Sequence, residues 1–210
     1  MPRRPVILFA AACAVIALAL GLITMVVVNG RQQAAQTAET GPSTGTGQPT
    51  VGGPFTLTNQ DGQVVDQSIL DGKWTLVFFG FTYCPDYCPT TLGVLNAVQE
   101  RMGDKAKDLQ IVFVSIDPER DTPKLLKDYL SSDGFPDGVI GLTGTPEQTA
   151  QVAKAYRAFY QKVGTGQDYT MNHSLTVYLM GPDGQFRSAV AHDLGPDKTA
   201  KLIERAMERG

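Results

Sequence analysis

WTLVFFGFTYCPDYCPTTLGVL, residues 74–95, decides the fold. It opens with a mostly apolar run between Gly72 and Gly80, rich in Val, Phe and Trp. The run is too short for an ordinary helix and reads as a buried strand. A loop with Cys84 and Cys88 follows, and then a helix begins. Pro89 disfavours an α conformation at Cys88 and itself suits the first helical position, so the helix is predicted to start at Pro89 with Cys88 near its N-cap. Both thiols then sit on a strand-to-helix corner. Unpaired N–H groups and the positive end of the helix dipole favour negative charge there and lower a nearby thiol's pKa. The corner is a place for thiolate chemistry.

Working outward, the strand LQIVFVSI, 109–116, and a helix opening at Pro123 follow, with Asp121 or Thr122 as cap and Leu125, Leu126, Tyr129 and Leu130 facing inward. A short strand at 139–142 precedes a helix predicted from Pro146 to about Tyr160, capped by Thr145. Strands at 174–180 and 185–191 form a hairpin through Gly181-Pro182-Asp183-Gly184, and an amphipathic helix closes the chain at 196–208. Upstream, Phe55–Thr58 and Val64–Val65 flank an Asp61-Gly62 turn and read as another hairpin. This order is that of an α/β, thioredoxin-like domain with an N-terminal β-hairpin extension. If the strands of Trp74 and Leu109 are parallel, their C-terminal ends share one edge, where open α/β sheets bind ligands. The cysteine loop and Asp117 would both lie there.

The 23 residues from Val6 to Val28 carry no charge, follow Arg3 and Arg4, and are long enough to span a bilayer. The arginines favour keeping the N-terminus in the cytoplasm. The expected organisation is a cytoplasmic N-terminus at 1–5, a single transmembrane helix at 6–28, a flexible linker at 29–53 and the globular domain at 54–210. A cleaved signal peptide is the rival, because Ala17-Leu18-Ala19 resembles a cleavage site. The nine uncharged residues after Ala19 favour the span. Cys13 lies inside the apolar run and lacks the usual preceding leucine of a lipoprotein cysteine. The linker is Gln, Ala, Thr, Ser, Gly and Pro, with a reach on the order of 25–30 Å. Beyond Arg31 there are fifteen basic and 21 acidic residues, a net charge of −6. Nothing in that balance resembles a surface for nucleic acid or anionic lipid.

Cys84-Pro-Asp-Tyr-Cys88 permits a disulfide, a two-thiolate metal site or both. Soft thiolates select Cu(I) or zinc over hard cations. A closed structural zinc site wants four ligands, and beyond the two cysteines there are only His173 and His192. His173 immediately precedes the penultimate strand and so faces the cysteine loop of a thioredoxin-like domain, where it either joins the thiols or stabilises a loop. His192 reads as a surface residue. Asp86 reads as a turn former, Asp117 as a strand-end turn or an outer contact of the site, and Met171 as a soft donor two residues from His173. Phe78, Phe79, Phe81, Tyr83 and Tyr87 read as core or as a shield for the thiols.

FFGFTYCPDYCPTTL (78–92), SIDPERDTPKLLKDYL (115–130) and MNHSLTVYLMGPDGQF (171–186) together resemble the Sco/SenC family. These are membrane-anchored thioredoxin-fold proteins that help build the binuclear copper site of cytochrome c oxidase, and the resemblance covers roughly residues 51–208. It implies copper, as Cu(I) and with an added oxygen ligand as Cu(II), held by Cys84, Cys88 and His173. It also implies a bacterial cytoplasmic-membrane location with the domain on the outer face, and the copper-bearing oxidase subunit as partner. Asn172 departs from the Asp that often precedes the family's histidine. Three functions remain open: copper delivery from a shallow, exposed three-coordinate site, thiol-disulfide exchange with Cys84 and Cys88 as the catalytic pair, and peroxide reduction, for which no motif beyond the thiols is present.

Overall fold

The computed structural model describes residues 51–166 and 168–209. The expected membrane span at 6–28, Cys13 and most of the linker lie outside them. Among the described residues, no helix is long and apolar enough to cross a membrane.

Nine strands, four α-helices and two short 3-10 helices make up the described part. β3 (Trp74–Gly80) is buried at every residue, and β4 (Leu109–Ser115) is buried at all but Gln110. Both lie in the middle of a seven-stranded sheet, where covering on two faces requires continuous apolar runs instead of alternation. From edge to edge the sheet runs β2 (Val64–Asp66), β1 (Thr56–Asn59), β5 (Ile140–Thr143), β4, β3, β8 (Val177–Met180) and β9 (Phe186–Val190). β3, β4 and β5 are parallel, while the two hairpins add antiparallel strands at either side. The expected N-terminal hairpin is therefore present, and β1 also pairs with β5.

The β3–β4 register runs from Trp74↔Leu109 to Gly80↔Ser115, so the two strands end flush. The Ile116 N–H continues the ladder to the Gly80 carbonyl at 2.9 Å. That places the cysteine loop beside the segment that follows β4, as the sequence predicts. The helices α1 (Tyr87–Met102), α2 (Pro123–Leu130), α3 (Pro146–Tyr156) and α4 (Pro196–Met207) complete the domain. Thr122 caps α2, and Thr145 with Gln148 forms a reciprocal capping box on α3.

Two expectations are corrected. α1 starts at Tyr87, two residues before Pro89, so Cys88 lies in the first helical turn. A proline there costs little, because the first N–H groups of a helix have no partner within it. The second correction concerns α3, which ends at Tyr156, with Arg157 in the left-handed conformation at φ 56°, instead of running to Tyr160. Tyr160–Val163 is β6, paired antiparallel with β7 (Thr170–His173) in a separate two-stranded sheet. His173 therefore ends a hairpin strand, and β8 begins four residues later than that histidine.

Candidate metal centre

Cys84 arises from a tight turn after β3, in which its N–H donates to the Phe81 carbonyl at 3.2 Å. Asp121 holds that turn in place: its carboxylate accepts from the Thr82 hydroxyl (2.6 Å), the Thr82 N–H (3.1 Å) and the Ser115 hydroxyl (2.6 Å). The sequence reading offered Asp121 or Thr122 as the helix cap. Thr122 takes that role, while Asp121 is fully buried and ties the cysteine loop to the end of β4. Burial pushes its carboxyl above the usual range, against those hydrogen bonds. The signal was the short interval separating Asp121 from the end of β4, but only the β3–β4 register shows what the carboxylate reaches.

Cys84 and Cys88 are both free thiols. Cys88 is fully buried and Cys84 is 8% exposed. The expectation of a shallow, exposed pair is thus corrected: Cys84 lines a cleft of about 410 Å³ together with Phe81, Tyr87, Phe159, Met171 and His173, while Cys88 is fully buried and does not line it. The Cys88 N–H, freed by its place in the first turn of α1, points at Cys84 Sγ at 3.4 Å. The Cys88 thiol donates to Cys84 and, with His173 and the backbone N–H groups of Cys88 and Asp86, holds Cys84 well below the usual thiol range, to about 4, although burial opposes this. Cys88 moves the other way, because it is the donor of that hydrogen bond, is buried and faces the Cys84 charge. The pair thus keeps one proton, on Cys88.

His173 closes the group. Its Nδ1 lies 2.9 Å from the Ser174 carbonyl, which can only accept, so Nδ1 donates to it and Nε2 is the nitrogen turned toward the sulfurs. Nε2 is 3.7 Å from Cys88 Sγ. The ring is braced by Phe81 and Phe78, whose centroids lie 5.8 and 6.3 Å away in edge contacts. The Ser174 carbonyl orients the imidazole, so the exposed Asn172, opposite Gln161 in the hairpin, has no part in aiming it.

The ligand atoms of Cys84, Cys88 and His173 all lie within 4.8 Å of one another. Metal–sulfur and metal–nitrogen bonds of about 2.3 and 2.0 Å put sulfur and nitrogen about 3.8 Å apart in a trigonal site. The observed 3.7 Å from Cys88 Sγ to Nε2 matches that spacing. Two soft sulfurs and one imidazole fit a low-coordinate soft cation.

The other candidates fall elsewhere. His192 is half-buried and packs its ring against Tyr87 at 5.9 Å, outside the ligand group. Asp86 is exposed and makes no side-chain cap on α1. Asp117 is buried, with its carboxylate engaged by Arg120 and Tyr169. Met171 is buried in the cleft wall. Phe78, Phe79 and Phe81 are core, whereas Tyr83 and Tyr87 are more than half exposed.

The SCO1/SenC family profile matches residues 43–208. Over 148 residues the chain is 43% identical to the mitochondrial SCO1 homolog 1 of Arabidopsis thaliana, covering 70% of this chain and 43% of that relative, less than half its length. ScoI of Bradyrhizobium japonicum, solved with copper bound, superposes with a TM-score of 0.68 at 44% identity, covering 74% of this chain and 99% of that one. BsSco, described as a Sco-family cytochrome c oxidase assembly protein with a disulfide switch, superposes with a TM-score of 0.59 at 29% identity over 76% of this chain and 94% of its own. The fold is the thioredoxin-like α/β arrangement of these proteins, and the chain belongs to the SCO1/SenC family.

Proposed function

We propose that this protein carries copper on Cys84, Cys88 and His173 and delivers it to the binuclear copper site of cytochrome c oxidase. The carrying observation is the convergence of those three ligand atoms within 4.8 Å of one another at a cleft. Copper-bound relatives, among them B. japonicum ScoI, support the choice of metal. Copper is cargo here, so the site must both hold and release it. Cys84 enters as a ready thiolate, Cys88 gives up its proton on loading, and Nε2 of His173 faces the sulfurs while Nδ1 is held by the Ser174 carbonyl. The cleft gives an incoming thiolate a path to the metal, so that the acceptor's sulfur can bind before Cys84 or Cys88 leaves. The domain at 54–210 would work on the outer face of the bacterial cytoplasmic membrane, held by the span at 6–28 through the linker at 29–53.

A specific observation also favours a second reading, a thiol-disulfide oxidoreductase acting on the acceptor's cysteines. Cys84 is a depressed thiolate beside a buried, protonated Cys88. Cys84 would attack the acceptor disulfide, expelling one acceptor thiolate. Cys88 would then pass its proton to that thiolate and attack Cys84 Sγ, releasing the second acceptor sulfur and leaving Cys84–Cys88 oxidised. Mixing Cu(I)-loaded full-length chain with the reduced, copper-free acceptor domain tests the first reading by copper transfer. Mixing the reduced, copper-free chain with oxidised acceptor tests the second. Transfer in the first mixture with none dependent on Cys84 in the second supports delivery; the reverse overturns it.

A further inference from the structure

The β6–β7 hairpin that carries His173 shares no strand pairing with the seven-stranded sheet. Its place relative to the thiols is then set by the short connection to β8 and by side-chain contacts, among which one cation bridges several segments. Arg120, between β4 and α2, donates through Nε to Asp117 Oδ2 at 2.5 Å and through Nη1 to the Tyr169 carbonyl at 3.0 Å, one residue before β7. The Tyr169 hydroxyl returns to Asp117 Oδ1 at 2.5 Å, closing a ring of carboxylate, guanidinium and phenol. The guanidinium also lies 3.7 Å from the Tyr169 ring centroid, 4.6 Å from that of Tyr83 and 6.0 Å from that of Phe81. Tyr83 adjoins Cys84, and Phe81 packs its edge against His173. From β6, Lys162 adds an ion pair to Glu119 at 2.6 Å and lies 3.9 Å from the Tyr169 ring.

One side chain thus touches the segment after β4, the cysteine loop and the base of the histidine hairpin. Arg120 is 17% exposed and Asp117 2%, so this is a shielded pair whose geometry is held. Its Nη2 is buried without a hydrogen-bond partner. A planar fork that reaches two segments at once is what arginine offers here and lysine does not.

We propose that Arg120 is the positioning residue of the metal centre: anchored by Asp117, it fixes the hairpin so that His173 Nε2 meets the two sulfurs. The proposal rests on the three-ligand reading. Arg120 touches no ligand atom and acts through His173.

The test is anaerobic Cu(I) competition titration of the full-length chain bearing Arg120→Met, Arg120→Lys or Tyr169→Phe, each in the wild-type and in the His173→Ala background. Melting temperatures and the His173 ring resonances of the copper-free protein are followed alongside. In the wild-type background Arg120→Met should weaken Cu(I) binding about 10- to 100-fold, the usual effect of an orienting partner. Arg120→Lys should not restore it, and the His173 resonances should shift or broaden before any metal is added. In the His173→Ala background the same substitutions should change affinity by less than about threefold, because no imidazole remains to be placed. Tyr169→Phe keeps the ring and the backbone acceptor, so it decides the matter if Arg120→Met fails to fold: a loss present with His173 and absent without it supports the proposal. Equal losses in both backgrounds, or unchanged affinity and unshifted ring resonances, overturn it while the three-ligand reading stands. If His173→Ala alone leaves affinity unchanged, the three-ligand reading falls and this proposal falls with it.

Discussion

Gly80 ends β3 directly beneath the thiols, and replacing it with alanine should injure both the fold and the metal centre. A Cβ at that position would stand 2.8 Å from Cys88 Sγ and 2.8 and 3.0 Å from Phe113 Cε2 and Cζ. Uncharged heavy atoms settle about 3.5–4.0 Å apart, so the space falls short by roughly 0.7–1.2 Å on two sides. Phe113 has little freedom to give, since its ring is fully buried between Phe78 and Tyr129, with centroids at 5.8 and 6.0 Å. Cys88 must therefore take up part of the strain, moving its sulfur relative to His173 Nε2. Overpacking of this kind costs about 1–3 kcal/mol, which in a domain of this size lowers Tm by roughly 3–10 °C. Ligand constellations tolerate about 0.5 Å of error, so Cu(I) affinity should also fall by about tenfold or more. The assay is thermal unfolding of the reduced, copper-free chain together with anaerobic Cu(I) competition. Gly93→Ala is the matched control: it lies within α1, an added Cβ meets nothing within 4 Å, and the change should stabilise by about 0.5–1 kcal/mol. Wild-type Tm and affinity in Gly80→Ala would refute the packing of Cys88 against β3.

Four further outcomes follow from the thiols and from Asp121. Alkylation of the reduced chain by iodoacetamide should strike Cys84 first, at a rate flat from pH 8 to about 5 and falling near pH 4, whereas Cys88→Ala should move the inflection up toward 9; a wild-type inflection at 8–9 contradicts the shared-proton pair. Because the folded-state pKa of Cys84 lies below its unfolded value, its stabilising contribution is complete above pH 9 and is lost as pH falls from 9 through about 4, so the Tm advantage over Cys84→Ser should shrink across that window. Loading Cu(I) at pH 7 should release as many protons from the wild type as from Cys84→Ser in a pH-stat titration, because only Cys88 gives up a thiol proton; about one more from the wild type would show that Cys84 was not ionised. Asp121→Ala should cost about 2–4 kcal/mol in denaturant unfolding, since it strands the Thr82 and Ser115 donors, while Asp121→Asn, which retains an acceptor and never ionises, should cost less.

How much was legible depends on where the physics is local. The continuous apolar runs of β3 and β4 and the turn residues of the Gly181–Gly184 hairpin announce themselves, because burial on both faces and turn geometry each demand particular residue types. From those runs the flush ends of β3 and β4, and hence the place of the cysteine loop, could be anticipated. β6 and β7 could not: Tyr160–Val163 is mostly exposed and Thr170–His173 buries only Met171, so neither carries a clean two-residue alternation. The early end of α3 turns on Arg157 adopting a left-handed conformation that its residue type does not advertise. His173 was legible as a partner of the thiols, but the hairpin that brings it there was not. Asp121 and Arg120 look like ordinary loop charges until the chain is folded, when one braces the cysteine loop and the other the histidine hairpin.

The most direct measurement is anaerobic Cu(I) titration of the reduced full-length chain against a competing chelator, comparing wild type, His173→Ala and the Cys84→Ala/Cys88→Ala double variant. The account predicts one tightly held Cu(I) in the wild type. It predicts a loss of at least about 100-fold in His173→Ala, at or beyond the upper range for an orienting residue alone, and no measurable competition in the double variant. Wild-type affinity in His173→Ala would contradict it.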